Sequence, residues 1–260
     1  MNETSDKYQH EARSLNQQEV ETLERDTKLV SEFKQNKLEI EAKKNWDLFY
    51  KRNETRFFKD RHWTNREFEL DINLEDEEDS EVRPCLLEVG CGVGNFIFPL
   101  IEEGYKPFVY ACDFSPRAIE LVKVIYDGST YLSLVNMVQA MIIMHTKHDN
   151  HSVVQSNPLY DTQKCQAFVC DISQEDSLSQ HIQPGTIALA TLVFVLSALH
   201  PDKMAVALRN IHRVLRPRGR VCFRDYGLYD QAMLRFKPGH KLSENFYVRQ
   251  DGTRAYYFPK

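Results

Sequence analysis

An apolar run that breaks into three alternate glycines constrains this chain more than any other stretch. It reads Leu86-Leu87-Glu88-Val89-Gly90-Cys91-Gly92-Val93-Gly94-Asn95. Leu86 to Val89 has the length and apolar content of a short buried strand. The glycines supply a tight turn in which backbone approaches a ligand with no Cβ in the way. Phe96-Ile97-Phe98-Pro99-Leu100-Ile101 then starts a helix whose first amides face that ligand.

A dinucleotide site sets Gly-x-Gly-x-x-Gly against a pyrophosphate. The pattern here is Glu-x-Gly-x-Gly-x-Gly, with Glu88 ahead of the turn and Gly90 and Gly92 inside it. A carboxylate in that place suits a ligand with an ammonium group and no phosphate, and S-adenosylmethionine is such a ligand. The alternative is a glycine turn that binds nothing, and the context weighs against it. The run Phe108-Val109-Tyr110-Ala111-Cys112 ends in Asp113, about 20 residues on, where an acid holds ribose hydroxyls in nucleotide-binding α/β units. A third run, Ala167-Phe168-Val169-Cys170, ends in Asp171. Three strands with a polar residue at each C-terminal edge build the crevice in which doubly wound sheets hold ligands.

A chain of 260 residues has room for one sizeable domain and an extra segment. The longest apolar run, 187 to 199, is too short to span a bilayer, and the polar N-terminus has no signal-peptide core. These features predict no membrane partner and a cytoplasmic location, with the nucleus left open as a second one. Six scattered cysteines form no Cys-x-x-Cys pair and have no nearby His, which predicts buried thiols in a reducing compartment and no metal site. The net charge of −5 argues against uniform nucleic-acid binding, so local patches matter more.

Residues 1–16 are polar and read as disordered. Residues 17–66 read as a helical, RNA-binding extension, with one helix from 17 to 50. Trp46 and Tyr50 lie one turn apart on it. They either pack on the domain or form an aromatic lid over the cofactor. From Lys51 to Trp63, cations alternate with aromatics, a pattern that clamps phosphates and stacks bases or else is a charged, solvated face. Residues 67–83 are strongly acidic and read as a linker.

The remaining domain, 84–260, alternates strands and helices, which means a parallel sheet covered on both faces. Ser115 is the expected N-cap of a helix with Pro116 first. Strand 187–195, helix 201–215 and strand 221–224 follow. Arg209, Arg213, Arg216, Arg218 and Arg220 either bind phosphates or are simply solvated.

With these residues in view, the chain resembles the methyltransferase-like tRNA 3-methylcytidine methyltransferases over roughly 20–123 and 157–257. The stretches that carry the likeness are Lys44-Asn45-Trp46-Asp47-Leu48-Phe49-Tyr50, the block from Phe57 to Trp63, Cys112-Asp113-Phe114-Ser115-Pro116-Arg117-Ala118, Phe223-Arg224-Asp225-Tyr226-Gly227 and Arg249-Gln250-Asp251-Gly252-Thr253-Arg254. The resemblance implies a Rossmann-like class I S-adenosylmethionine-dependent fold and a cytidine of the tRNA anticodon loop as substrate. It further implies serine tRNAs and seryl-tRNA synthetase as partners. Carried over, Trp46, Tyr50, Gly90, Asp113, Asp171, Ile172 and Val193 line the cofactor, joined by Glu88 and Gly92 from the turn. Phe57, Phe58 and Arg224 contact substrate, and Arg61, His62 and Asp225 serve catalysis; Asp225 either accepts from the exocyclic amine or is simply an acid paired with Arg224 or Arg220 at the rim.

Two departures stand out. Residues 124–156 read as an insertion, either a helical flap or, preferably, a read-through segment with no stable home. The chain also stops at Lys260, short of the helix and two strands expected of the family, which would expose an edge of its last strand. Two other functions fit less well: a variant that binds cofactor, tRNA or synthetase without turnover, and a methyltransferase for a protein or small molecule.

Overall fold

The computed structural model describes residues 14–54, 83–126, 154–157 and 159–259. Its centre is a five-stranded parallel sheet built from β1 (Cys85–Val89), β2 (Phe108–Asp113), β5 (Cys165–Val169), β6 (Ile187–Val193) and β7 (Leu215–Arg224), in the order β5-β2-β1-β6-β7. The order reverses direction at β1, so the crevice at its C-terminal end is a topological switch point. Fully buried Leu86 and Leu87 point to opposite faces and seed the two main apolar clusters. All seven residues of β6 are buried, as expected for a parallel strand covered on both sides.

Helices α4 (Ile97–Glu102), α5 (Pro116–Lys123) and α6 (Pro201–Val214) follow β1, β2 and β6. Ser115 caps α5 as the sequence predicts, its Oγ accepting from the Ala118 amide at 3.2 Å. Strand β7 is longer than expected and forms an edge of the sheet, with Val221 43% and Phe223 47% exposed. The ends of the expected insertion meet as a short antiparallel pair, β3 (Val124–Tyr126) with β4 (Val154–Ser156). The rest of that segment, the acidic stretch 67–82 and residues 1–13 lie outside the described residues.

The N-terminal region corrects the single-helix reading. Three helices occupy its described residues: α1 (Gln17–Arg25), α2 (Glu32–Ile40) and α3 (Ala42–Asn53). Asn16 closes α1 with a capping box to Glu19. The break between α1 and α2 has a tertiary cause. A three-stranded antiparallel sheet, β8 (Lys241–Ser243), β9 (Phe246–Val248) and β10 (Arg254–Tyr256), offers the Lys241 carbonyl to the Val30 amide at 2.8 Å. Gln35 then donates to the carbonyls of Val30 and Leu242, at 2.7 and 3.0 Å. Helix propensity alone carries no sign of this docking.

Candidate active site

Glycine geometry shapes the floor of the site. Gly90 and Gly92 have φ of +65° and +56°, a region that glycine enters without a Cβ penalty. A Cβ on Gly90 would sit 2.6 Å from Val195 Cγ2, and one on Gly92 would sit 3.1 Å from the Tyr50 hydroxyl. The turn is therefore pressed between the loop after β6 and helix α3. Asp113, at the end of β2, closes it: Oδ2 accepts from the Gly92 amide at 2.9 Å and Oδ1 from the Ser115 amide at 2.8 Å. Burial pushes the Asp113 carboxyl up to about 6, against those two amide donors, which favour the charged form.

Asp171 fixes the neighbouring turn. Its Oδ1 accepts from the Ser173 amide and hydroxyl, at 3.0 and 2.6 Å, and its Oδ2 from the Gln174 amide side chain at 3.1 Å. Between these acids opens a cavity of about 290 Å³. Of the residues expected to hold cofactor, Trp46, Tyr50, Gly90, Asp113, Asp171 and Ile172 line it. Glu88, Gly92 and Val193 stand behind that lining, where Glu88 and Val193 are buried. Buried Glu88 and Asp113 add to the burial that raises the Cys91 thiol well above its ordinary value.

Trp46 and Tyr50 pack on the domain, the first of the roles the sequence leaves open. They pack with Phe49 on Val93, Ala118 and Leu121, and they also face the cavity. Asp47, between them in sequence, accepts a hydrogen bond from the Ser115 hydroxyl and ties α3 to the start of α5.

The roof has a second anchor that the sequence reading missed. Glu39 of α2 pairs with Lys203 of α6 at 2.5 Å and with Arg254 of β10, whose side chain is only 6% exposed. Burial raises the Glu39 carboxyl, but the Lys203 and Arg254 contacts outweigh it and hold the group below its ordinary value. All three residues line the cavity.

Behind the 194–197 turn, Asp225 accepts from the Ser197 amide at 2.9 Å and the Tyr226 amide at 2.9 Å. Burial raises its carboxyl, against these bonds and one from the Val195 backbone. The structure thus sets Asp225 as a clamp on the 194–197 turn, not among the side chains lining the cavity, and Arg224 does not line it either. Arg209 and Arg213 form ion pairs with Glu175 and Asp176. Phe57, Phe58, Arg61 and His62 lie outside the described residues.

A parallel sheet with its glycine turn, paired acids and aromatic roof at the switch point defines an S-adenosylmethionine-dependent methyltransferase. Known proteins agree: the methyltransferase domain family matches residues 19–259. Human tRNA N(3)-cytidine methyltransferase METTL6 is 53% identical over 95% of this chain and 75% of its own length. The Danio rerio tRNA N(3)-cytidine methyltransferase METTL2 is 39% identical over 86% of this chain and 63% of its own length. The crystal structure of a Burkholderia thailandensis 1,6-didemethyltoxoflavin-N1-methyltransferase shares the fold at a TM-score of 0.50 and 13% identity, covering 90% of this chain and 76% of that one. This chain belongs to the tRNA N(3)-cytidine methyltransferase family.

Proposed function

We propose that this chain methylates N3 of a cytidine in the anticodon loop of tRNA, with serine tRNAs as substrates. Seryl-tRNA synthetase is the partner that presents them, and the work is done in the cytoplasm and nucleus. The observation that carries the reading is one cavity that unites the glycine turn, Asp113 and Asp171 under the Trp46–Tyr50 roof, in a chain so similar to enzymes named for this reaction.

The residues present fit S-adenosylmethionine. Asp113 would accept from ribose hydroxyls, the Trp46 and Tyr50 rings would suit a sulfonium cation, and Asp171 and Ile172 line the same cavity. Bound cofactor supplies an electrophilic methyl group. The pyrimidine N3 has a free lone pair at neutral pH, so the protein needs no general base. Its contribution is positioning and exclusion of water. Asp225 contributes by fastening the 194–197 turn at the cavity wall. A base in a loop is already unpaired, which lowers the cost of extruding it.

The test is incubation of the purified chain with methyl-labelled S-adenosylmethionine and serine tRNA, with and without seryl-tRNA synthetase. The expected product is 3-methylcytidine in RNA, formed faster with synthetase. Label in protein, or RNA binding without label, overturns the reading.

A further inference from the structure

We propose that the Phe194 ring is the stacking platform for the target pyrimidine. This inference rests on the function proposed above and names a further residue of its substrate site.

Strand β6 is buried along its whole length, and at its end Phe194 takes φ of +60°. For a bulky side chain that backbone is strained, and such strain persists only where the surroundings impose it. They do so from β7. The Phe194 amide donates to the Arg224 carbonyl at 2.8 Å, and Asp225 clamps the turn through the Ser197 amide. Phe194 is half-buried and lines the cavity.

The ring is also backed. Tyr226 lies against it, with centroids 4.8 Å apart and planes at 37°, and the Arg249 guanidinium sits 5.5 Å from the Tyr226 centroid. An aromatic that merely filled the core would need neither the strained backbone nor a face on the cavity. A supported flat ring beside the cofactor floor instead matches the π-face of an unpaired base. Stacking of this kind is how single-stranded RNA is held open for recognition.

The experiment compares Phe194→Leu with Phe194→Tyr and Phe194→Trp in the full chain. Leucine keeps an apolar side chain on the same strained backbone, so thermal stability reports any purely structural damage. The readouts are kcat/KM for the tRNA that the parent methylates, the dissociation constant for S-adenosylmethionine, and the melting temperature. Leu is expected to lower kcat/KM for RNA roughly 5- to 150-fold, the range set by about 1–3 kcal/mol of base stacking. Cofactor affinity and melting temperature should hold, and Tyr and Trp should restore the rate. Equal RNA kinetics for Leu and Phe overturn the platform while leaving the function intact. So does a matching loss of cofactor affinity, which would assign the ring to the cofactor. A parent that methylates no RNA overturns the function and the platform together.

Discussion

The floor and the roof of the cavity are built by different means. The floor is local: Gly90, Gly92, Asp113 and Ser115 lie within 25 residues of one another, and the Gly92 and Ser115 amides donate to the Asp113 carboxylate. The roof is assembled from afar. Glu39 reaches Arg254 across 215 positions, and Asn45 donates to the Gly252 carbonyl across 207. A local floor is fixed by which backbone angles its residues tolerate. A roof made of distant pairs depends on the whole domain being folded first.

Gly90→Ala should break the floor most severely. It adds a Cβ 2.6 Å from Val195 at a positive φ, costing on the order of 3 kcal/mol from strain and overpacking combined. Thermal unfolding should show that loss together with abolished cofactor binding.

Glu39→Gln attacks the roof. It leaves the buried Arg254 without its carboxylate, at a cost of about 2 kcal/mol, since Glu39 is itself partly exposed. The contribution of Glu39 is present above its unfolded value near 4.5 and is lost as pH falls through its lower folded value. Parent and variant should therefore converge in stability toward acid, and a gap that persists there would exclude the ion pair as its source.

Asp113 gives a subtler test. Its folded value of about 6 lies above the ordinary 3.8, so without ligand its stability contribution is full below 3.8 and is lost as pH rises through about 6. In the proposed binding mode, ribose hydroxyls would donate to the ionised form. Cofactor affinity should thus fall by up to about tenfold per pH unit below about 6 and level off above. Calorimetry in buffers of different ionisation heat should detect the released proton, and a flat profile would show that Asp113 does not meet the ribose.

Gly104→Ala should do least. Its φ is +86°, but no atom lies within 4 Å of the added Cβ. A loss of about 1 kcal/mol with unchanged cofactor affinity would confirm that strain without contact leaves the floor intact.

The same contrast explains what the sequence revealed. The strand before the turn, the Ser115 cap, Asp113 at the end of β2 and Asp171 just past β5 follow from short-range rules, and the structure has them. Helix breaks at Thr27 to Ser31 escaped because the docking partner, Lys241, is remote in sequence. Glu39, Lys203 and Arg254 escaped because a lone charge on a helix or strand gives no hint of its partner. Phe194 was hidden in an apolar run, where no residue type announces a positive φ. Asp225 drew notice for the stretch it sits in, whereas the Ser197 and Tyr226 amides it holds left no mark in the sequence.

The neck formed by β3 and β4 has an evolutionary consequence. Asn157, just past it, donates to the carbonyls of Lys123 and Val122 at 3.0 and 3.1 Å, so the chain leaves where it entered, stapled to the end of α5. Doubling the length of a segment hung on such a neck costs only about 0.6 kcal/mol in closure entropy. A lineage can rewrite what hangs there while Asp113 and Asp171 stay in place, which makes this junction a graft point where new sequence can be tried at little risk to the old chemistry.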